Sequence, residues 1–243
     1  MLEISWVFIA LGAWLIALAF LTKKFNHPKR KLPPGPRPWR IIGNLNLLGS
    51  LPHESLHHLS QKYGDLMLLK FGSKPVLIAS SLEMAKEILK THDAIFASRP
   101  ALAADTSAAT IEWGSQELLR IPNIIEKAHQ ELDRAIGKER WVEEKDFSQL
   151  PYIDAIIKET FRLHPLCALL PPHYSTEDCT VAGYDIPKGT AAYINVWSIG
   201  RNSKYWDRPE EFIPERFIEN NRHERTKLLT IAIWFWKEEV SRV

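Results

Sequence analysis

The stretch Lys158-Glu159-Thr160-Phe161-Arg162-Leu163-His164-Pro165 decides how the rest of the chain is understood. Glu159 and Arg162 stand three residues apart, so a helix puts them on one face, within reach of each other. Pro165 marks the end of that helix, because a proline pushes the residue before it out of helical geometry. On an exposed face such a pair contributes only about 0.2–0.5 kcal/mol. In a buried setting, removing one partner strands a charge at a cost of about 3–5 kcal/mol. A second short element, Pro214-Glu215-Arg216-Phe217, follows later in the chain.

The totals set wide bounds. A chain of 243 residues holds one large domain or two smaller ones. Hydrophobic content of 45% and charged content of 25% are ordinary for a globular protein. The net charge of +2 gives no bias toward nucleic acid. The two cysteines, Cys167 and Cys179, form no C-x-x-C motif and cannot build a disulfide framework, which fits a reducing compartment. His53, His57, His58 and His92 make no metal constellation and are expected at the surface.

Residues 4–21, ISWVFIALGAWLIALAFL, form a largely apolar run. As a helix it reaches roughly 27 Å, near the thickness of a bilayer core. Lys23, Lys24, Lys29, Arg30 and Lys31 follow it, so the flank is expected to stay cytosolic. A cleaved signal peptide is the rival reading. Against it, the residues before the run include Glu3 and no lysine or arginine, and the run exceeds an ordinary signal-peptide core. The prolines of Leu32-Pro33-Pro34-Gly35-Pro36-Arg37-Pro38-Trp39 then favour a stiff, extended path that serves as a spacer.

Beyond the prolines, residues 55–63 are expected as a short helix capped by Ser55, followed by strands at 66–71 and 75–79 around Gly72-Ser73. Residues 81–91 form an amphipathic helix with Met84, Ile88 and Leu89 inward. After Pro100 a helix runs to Arg120, with Asp105 or Ser107 able to cap it. Pro122 starts the next, with Ile124, Ile125, Ala128, Leu132 and Ile136 on one face and Gly137 at its end. Residues 138–145 are a charged loop that Trp141 is expected to anchor. The helix carrying Glu159 opens at Leu150-Pro151-Tyr152, with Ile153, Ile156, Ile157, Thr160 and Phe161 as its inner face. Residues 180–182 and 191–196 are expected as strands, with turns at Gly183 and Gly189.

Glu159-Thr160-Phe161-Arg162 followed by Pro214-Glu215-Arg216-Phe217 resembles the cytochrome P-450 family of haem-thiolate monooxygenases. Phe96-Ala97-Ser98-Arg99-Pro100, the string Gly183-Tyr184-Asp185-Ile186-Pro187-Lys188-Gly189-Thr190 and Asn195-Val196-Trp197 resemble it too, in its plant microsomal form. The resemblance implies a mainly α fold with small β-sheets (α+β), a partial cytochrome P-450 fold behind an N-terminal transmembrane helix. It implies that Arg216 joins Glu159 and Arg162 in a buried charge cluster. The proline stretch matches the hinge of microsomal members, with Arg40 departing from the pattern. Asp105 and Thr106 match the acid–alcohol pair that relays protons to iron-bound oxygen in the family's central helix, although Leu102 stands where that helix has a small residue. His173 follows Pro171-Pro172, where the family often places a basic residue near a haem propionate.

The family implies haem as cofactor, NADPH-cytochrome P-450 reductase and membrane lipid as partners, a lipophilic secondary metabolite as substrate, and the endoplasmic reticulum membrane as location. The expected organisation is an anchor at 1–22, a basic and proline-rich hinge at 23–40, a sheet-and-helix part at 41–104, a part running from the central-helix remnant to Pro-Glu-Arg-Phe at 105–222, and an unrelated hydrophobic tail at 223–243. Only four residues separate Pro100 from Asp105, which implies an internally deleted form. The family's cysteine loop is expected after Phe217, where this chain has no cysteine, so no metal ligand is assigned. The resulting expectation is a monooxygenase relative that is itself inactive. The alternative is a non-catalytic membrane-anchored protein that binds the reductase or another monooxygenase.

Overall fold

The computed structural model describes Trp14, residues 30–96 and residues 106–218. The chain divides into two units, Met1–Leu32 and Pro33–Val243. The apolar run expected as an anchor lies outside the described residues apart from Trp14, and so do Asp105 and the tail. Among the described residues no helix is long and apolar enough to cross a membrane. The elements below all belong to the second unit.

Helix α1 (Pro52–Tyr63) starts one turn earlier than expected. Pro52 occupies its first position, where the missing N–H has no partner to lose. Ser55 is therefore inside the first turn rather than the cap, and its hydroxyl donates back to Leu51 O at 3.2 Å. Strands β1 (Leu66–Phe71) and β2 (Lys74–Ala79) pair antiparallel around Gly72-Ser73, where Gly72 takes φ +59°. Ser81 caps α2 (Leu82–Lys86), accepting from Met84 N at 3.4 Å, and the chain continues as one wider π-helical turn, Glu87–Thr91.

Helices α3 (Thr106–Arg120), α4 (Pro122–Ala135) and α5 (Pro151–Leu163) follow, with a proline again at the start of the last two. The remainder is β3 (His173–Tyr174), the hairpin β4 (Cys179–Val181) and β5 (Tyr184–Ile186), then β6 (Ala191–Ile194) and the short α6 (Val196–Gly200).

One sheet has the order β1-β2-β6-β3, and the β4–β5 hairpin stands as a second. β2 and β6 are parallel, in register Val76↔Ala191 and Ala79↔Ile194. Parallel neighbours require a crossover, and here it includes α2 to α5. β2 is covered on both sides. Leu77 and Ala79 face Ile88, Phe96 and Leu170, while Val76 and Ile78 face Leu56 and Met67. This is the period-two alternation of a strand with two cores to serve. A third cluster, Ile124, Tyr152, Ile156, Leu163 and Phe212, joins α4, α5 and the segment after α6.

Two further expectations about the fold need correction. The proline stretch is not a free spacer along its whole length. Leu68 N donates to Pro34 O at 2.9 Å, and the buried Asn44 side chain links Pro36 O (3.3 Å) to Lys70 N (2.8 Å). A Cβ at Gly35 would lie 2.1 Å from Leu68 O, so only glycine allows this approach. Trp141, expected to anchor the charged loop, is 93% exposed. The anchor is electrostatic instead: Arg140 forks onto buried Asp146 at 2.6 and 2.8 Å, and Asp146 also accepts from Glu143 N.

The Arg140 guanidinium and the Glu143 N–H hold the Asp146 carboxyl well below its ordinary range. A depressed carboxyl contributes stability that is complete above its unfolded pKa of about 3.9 and is lost as pH falls further. The wild type should therefore melt above Asp146→Asn at neutral pH, with the gap closing below about pH 4. Paired melting curves across that range check this. A gap independent of pH would show that Asp146 acts by shape rather than charge.

Candidate functional site

Helix α5 has no cap of its own. Its first N–H groups are taken by a neighbour: the buried Glu131 carboxylate of α4 accepts from Tyr152 N at 2.8 and 3.0 Å and from Ile153 N at 3.0 Å. A carboxylate at a helix N-terminus also meets the positive end of the helix dipole. At the other end, His164 follows the last turn and its Nε2 lies 2.9 Å from Glu117 Oε1 of α3. The His164 ring stacks on Trp113 at 4.3 Å, and Arg120 shares the same carboxylate at 3.1 Å. Both ends of α5 are thus fixed by acids from other helices.

Its inward face differs from the apolar set expected. Ile156 and Thr160 are buried, but Ile157 is exposed, and Ile153 and Phe161 are only half-buried. The most deeply buried positions include the charged ones, Glu159 at 0% and Arg162 at 1% exposure. Arg162 Nε donates to Glu159 Oε2 and Nη2 to Oε1, both at 2.8 Å. Its remaining N–H groups reach Gly200 O and Pro209 O at 2.6 Å and Glu211 O at 2.9 Å. All five guanidinium donors are satisfied.

Arg216 enters from the 3-10 turn Pro214–Phe217. Its Nε is 3.1 Å from Glu159 Oε1, and its other nitrogens reach Asp207 O (2.7 Å), Glu211 O (3.2 Å) and Arg208 O (3.3 Å). Ile213 N adds a bond to Glu159 Oε1 at 2.8 Å. One carboxylate therefore faces two guanidiniums, and backbone carbonyls of the 200–213 segment absorb the excess positive charge. Burial, together with the Arg162 charge, lowers the Arg216 pKa against the opposing pull of Glu159. Arg162 also lies over the Trp206 ring at 5.3 Å, and Trp206 Nε1 donates to Ile199 O at 3.1 Å. Arg208 adopts φ +44°, a left-handed geometry that costs a non-glycine residue about 1–2 kcal/mol and that here sits among the carbonyls turned toward the guanidiniums.

The structure brings Glu159, Arg162 and Arg216 together and places His173 on a different element, while Asp105 lies outside the described residues. Thr106 opens α3. His173 lies on β3, is 1% exposed, and pairs through Nδ1 with Phe96 O at 2.8 Å. His57, expected at the surface, is half-buried with Nδ1 2.7 Å from Ser198 Oγ. Among the described residues no group of acids, histidines and cysteines could hold a metal ion. The charge centre has no unspent acid or base, so its chemistry is that of a lock. Nothing local marks Glu131 as a cap, because the N–H groups it meets belong to the next helix rather than its own. Glu117 and His164 were equally silent.

A family model described as Cytochrome P-450 matches residues 33–104 and 102–230. The chain belongs to the cytochrome P-450 family. The two matched blocks meet at residues 102–104, and the second runs past residue 222, where the resemblance was expected to end. Its curated relatives include plant proteins. Cytochrome P-450 71A1 of Persea americana is 51% identical over 117 residues, 48% of this chain and 23% of the relative. A flavonoid 3',5'-hydroxylase of Crocosmia x crocosmiiflora is 38% identical over 164 residues, 68% of this chain and 31% of the relative. The chain thus spans less than a third of the length of these relatives. A zebrafish cytochrome P-450 structure solved with progesterone superposes with a TM-score of 0.66 at 17% identity, covering 71% of this chain and 85% of the other, and supports the fold alone.

The cytochrome P-450 family implies haem, but the cysteines present do not fit an iron thiolate. Cys167 is exposed just beyond α5. Cys179 is half-buried on β4, opposite Ile186 in the β4–β5 hairpin, and no histidine, acid or second cysteine joins it in a metal-holding group among the described residues. In the charge centre, Arg162→Ala should destabilise the chain by about 3–5 kcal/mol, since it leaves Glu159 and several carbonyls without a partner. Urea titrations should place Arg162→Ala and Arg216→Ala well below an exposed Lys74→Ala control. Equal midpoints would mean that the cluster does not form in solution.

Proposed function

We propose that this chain carries the anchored sheet region and charge-locked helical core of a plant haem monooxygenase, and is itself inactive in oxygen insertion. The single observation behind inactivity is the placement of its two cysteines, Cys167 exposed just beyond α5 and Cys179 in the β4–β5 hairpin opposite Ile186, neither of them after Pro214–Phe217 where the resemblance expects the thiolate. The family activity is insertion of one oxygen atom from O2 into a lipophilic secondary metabolite, with electrons from NADPH-cytochrome P-450 reductase. In this reading Asp105 and Thr106 would serve proton delivery and His173 a haem propionate in a longer form. In the present chain Glu159, Arg162 and Arg216 hold structure only. The two matched family blocks that meet at residues 102–104 support an internally deleted form.

The proposal also places the chain in the endoplasmic reticulum membrane as a single-pass protein with its C-terminal part cytosolic. Support comes from the apolar run at 4–21 and the basic flank after it. Exposed Ile111 and Leu119 on α3 favour a second reading, a non-catalytic anchored protein that docks on the reductase or another monooxygenase.

The reduced, carbon monoxide-bound spectrum of the full chain tests inactivity. No thiolate-type Soret band should appear, because that band requires iron bonded to a cysteine thiolate and neither Cys167 nor Cys179 is placed to supply one. A thiolate band that disappears in Cys167→Ala or Cys179→Ala would overturn the proposal. Alkaline carbonate extraction tests the anchor: the chain should stay with the membrane pellet, and release into the supernatant would exclude it. Recovery of the reductase with the inactive chain, lost in Leu119→Glu, would favour the docking reading.

A further inference from the structure

A polar cavity of about 260 Å³ lies where α1, the end of β2 and the segment after α6 meet. Its walls include His57, Gln61, Asp65, Ser80, Ser198 and Arg201. Two of these residues have buried side-chain atoms without a hydrogen-bond partner among the described residues, Ser80 Oγ and Arg201 Nη1. The contrast with Arg162 is informative. Arg162 spends every N–H, whereas the Arg201 side chain, only 11% exposed, makes a single hydrogen bond among the described residues, from Nε to Glu210 Oε2 at 3.2 Å. The guanidinium is held in place by the Trp197 ring, 4.3 Å away, so its free edge has a fixed direction.

A buried guanidinium with unspent donors calls for an acceptor. Burial lowers the Arg201 pKa, and the first of the charges that oppose this is Glu210, whose side chain is 70% exposed and therefore screened. Glu210, already bonded to the guanidinium, Asp65 on the wall and Glu54 nearby are the carboxylates that work against an incoming anion. His57, with its pKa lowered first by burial and then by His58, adds little positive charge at neutral pH. Ser198 already engages His57, which leaves its oxygen oriented at the wall rather than free to turn away.

We propose that this cavity binds a small oxyanion, a phosphate or carboxylate group, which accepts hydrogen bonds from Arg201 and Ser80. The volume exceeds that of inorganic phosphate, so the group can belong to a small organic molecule. The site adjoins the Glu159–Arg162–Arg216 centre through Gly200 but uses none of that centre's donors, and it does not depend on any monooxygenase activity.

Calorimetric titration of the full chain with inorganic phosphate, and separately with acetate, tests this against chloride at matched ionic strength. Saturable binding is expected for at least one of the two oxyanions, and which one binds distinguishes phosphate from carboxylate recognition. Arg201→Gln should weaken it by roughly tenfold or more, and Ser80→Ala by a few-fold. Far-UV circular dichroism monitors folding. If Arg201→Gln does not fold, Arg201→Lys keeps the charge and loses the fork geometry, and should weaken binding in the same direction. Heats for both oxyanions equal to those of chloride would overturn the proposal. So would Ser80→Ala and Arg201→Lys variants that bind as the wild type does.

Discussion

The Glu159–Arg162 fork is the interaction on which the second half of the chain depends. A helix alone would place these two side chains side by side, but their burial requires a cage. The 200–213 segment supplies that cage with its own carbonyl oxygens, and in return gains a substitute for regular secondary structure. Backbone acceptors that would otherwise need water or a ladder partner are spent on guanidinium groups. Gly200 shows how tight the arrangement is, since a Cβ there would sit 2.4 Å from Arg162 O. The lock therefore sets the path of the segment as well as its stability.

Around this centre, acids from different helices take over roles that local sequence usually fills. Glu131 caps a helix in which its own chain neighbours provide nothing. Glu117 binds both His164 and Arg120 across α3 and α5. Lys127 and the Tyr152 hydroxyl converge on Glu215, whose pKa stays low although burial pushes it up, because these hydrogen bonds favour its charged form. The three helices and the 3-10 turn are thereby stitched by buried or half-buried charge. Such stitching fixes relative position more strictly than apolar contact, because each unpaired member is costly.

Much of this was legible in the sequence where the signal is local. Prolines marked the starts of α4 and α5, Ser81 the start of α2, and Gly72-Ser73 the turn of the β1–β2 hairpin. Short-range reasoning failed where a distant partner decides. Trp141 looked like an anchor by residue type, yet the anchor is Asp146, held by a cation six residues before it. The expected inner face of α5 included Ile157, which is exposed, since periodicity counts apolarity and cannot see how much of the inward face a paired charge occupies. Ser55 lost the capping role because Pro52 had already begun the helix. For the site, the pairing of Glu159 with Arg162 follows from spacing, whereas the carbonyl cage depends on tertiary structure and leaves no pattern to find.

The parallel pairing of β2 with β6 has a consequence for synthesis. Val76 to Ala79 leave the ribosome long before Ala191 to Ile194, their partners in the finished sheet. At about 5–20 residues per second, the interval lasts several seconds or more. Throughout it, one edge of an almost fully apolar strand has no neighbour to complete its ladder, the condition under which strands recruit other chains. The first half of this protein therefore passes through a stage in which its best-packed strand is its most adhesive one. Its yield in a cell should accordingly depend on chaperone capacity and on the speed of translation between these two strands.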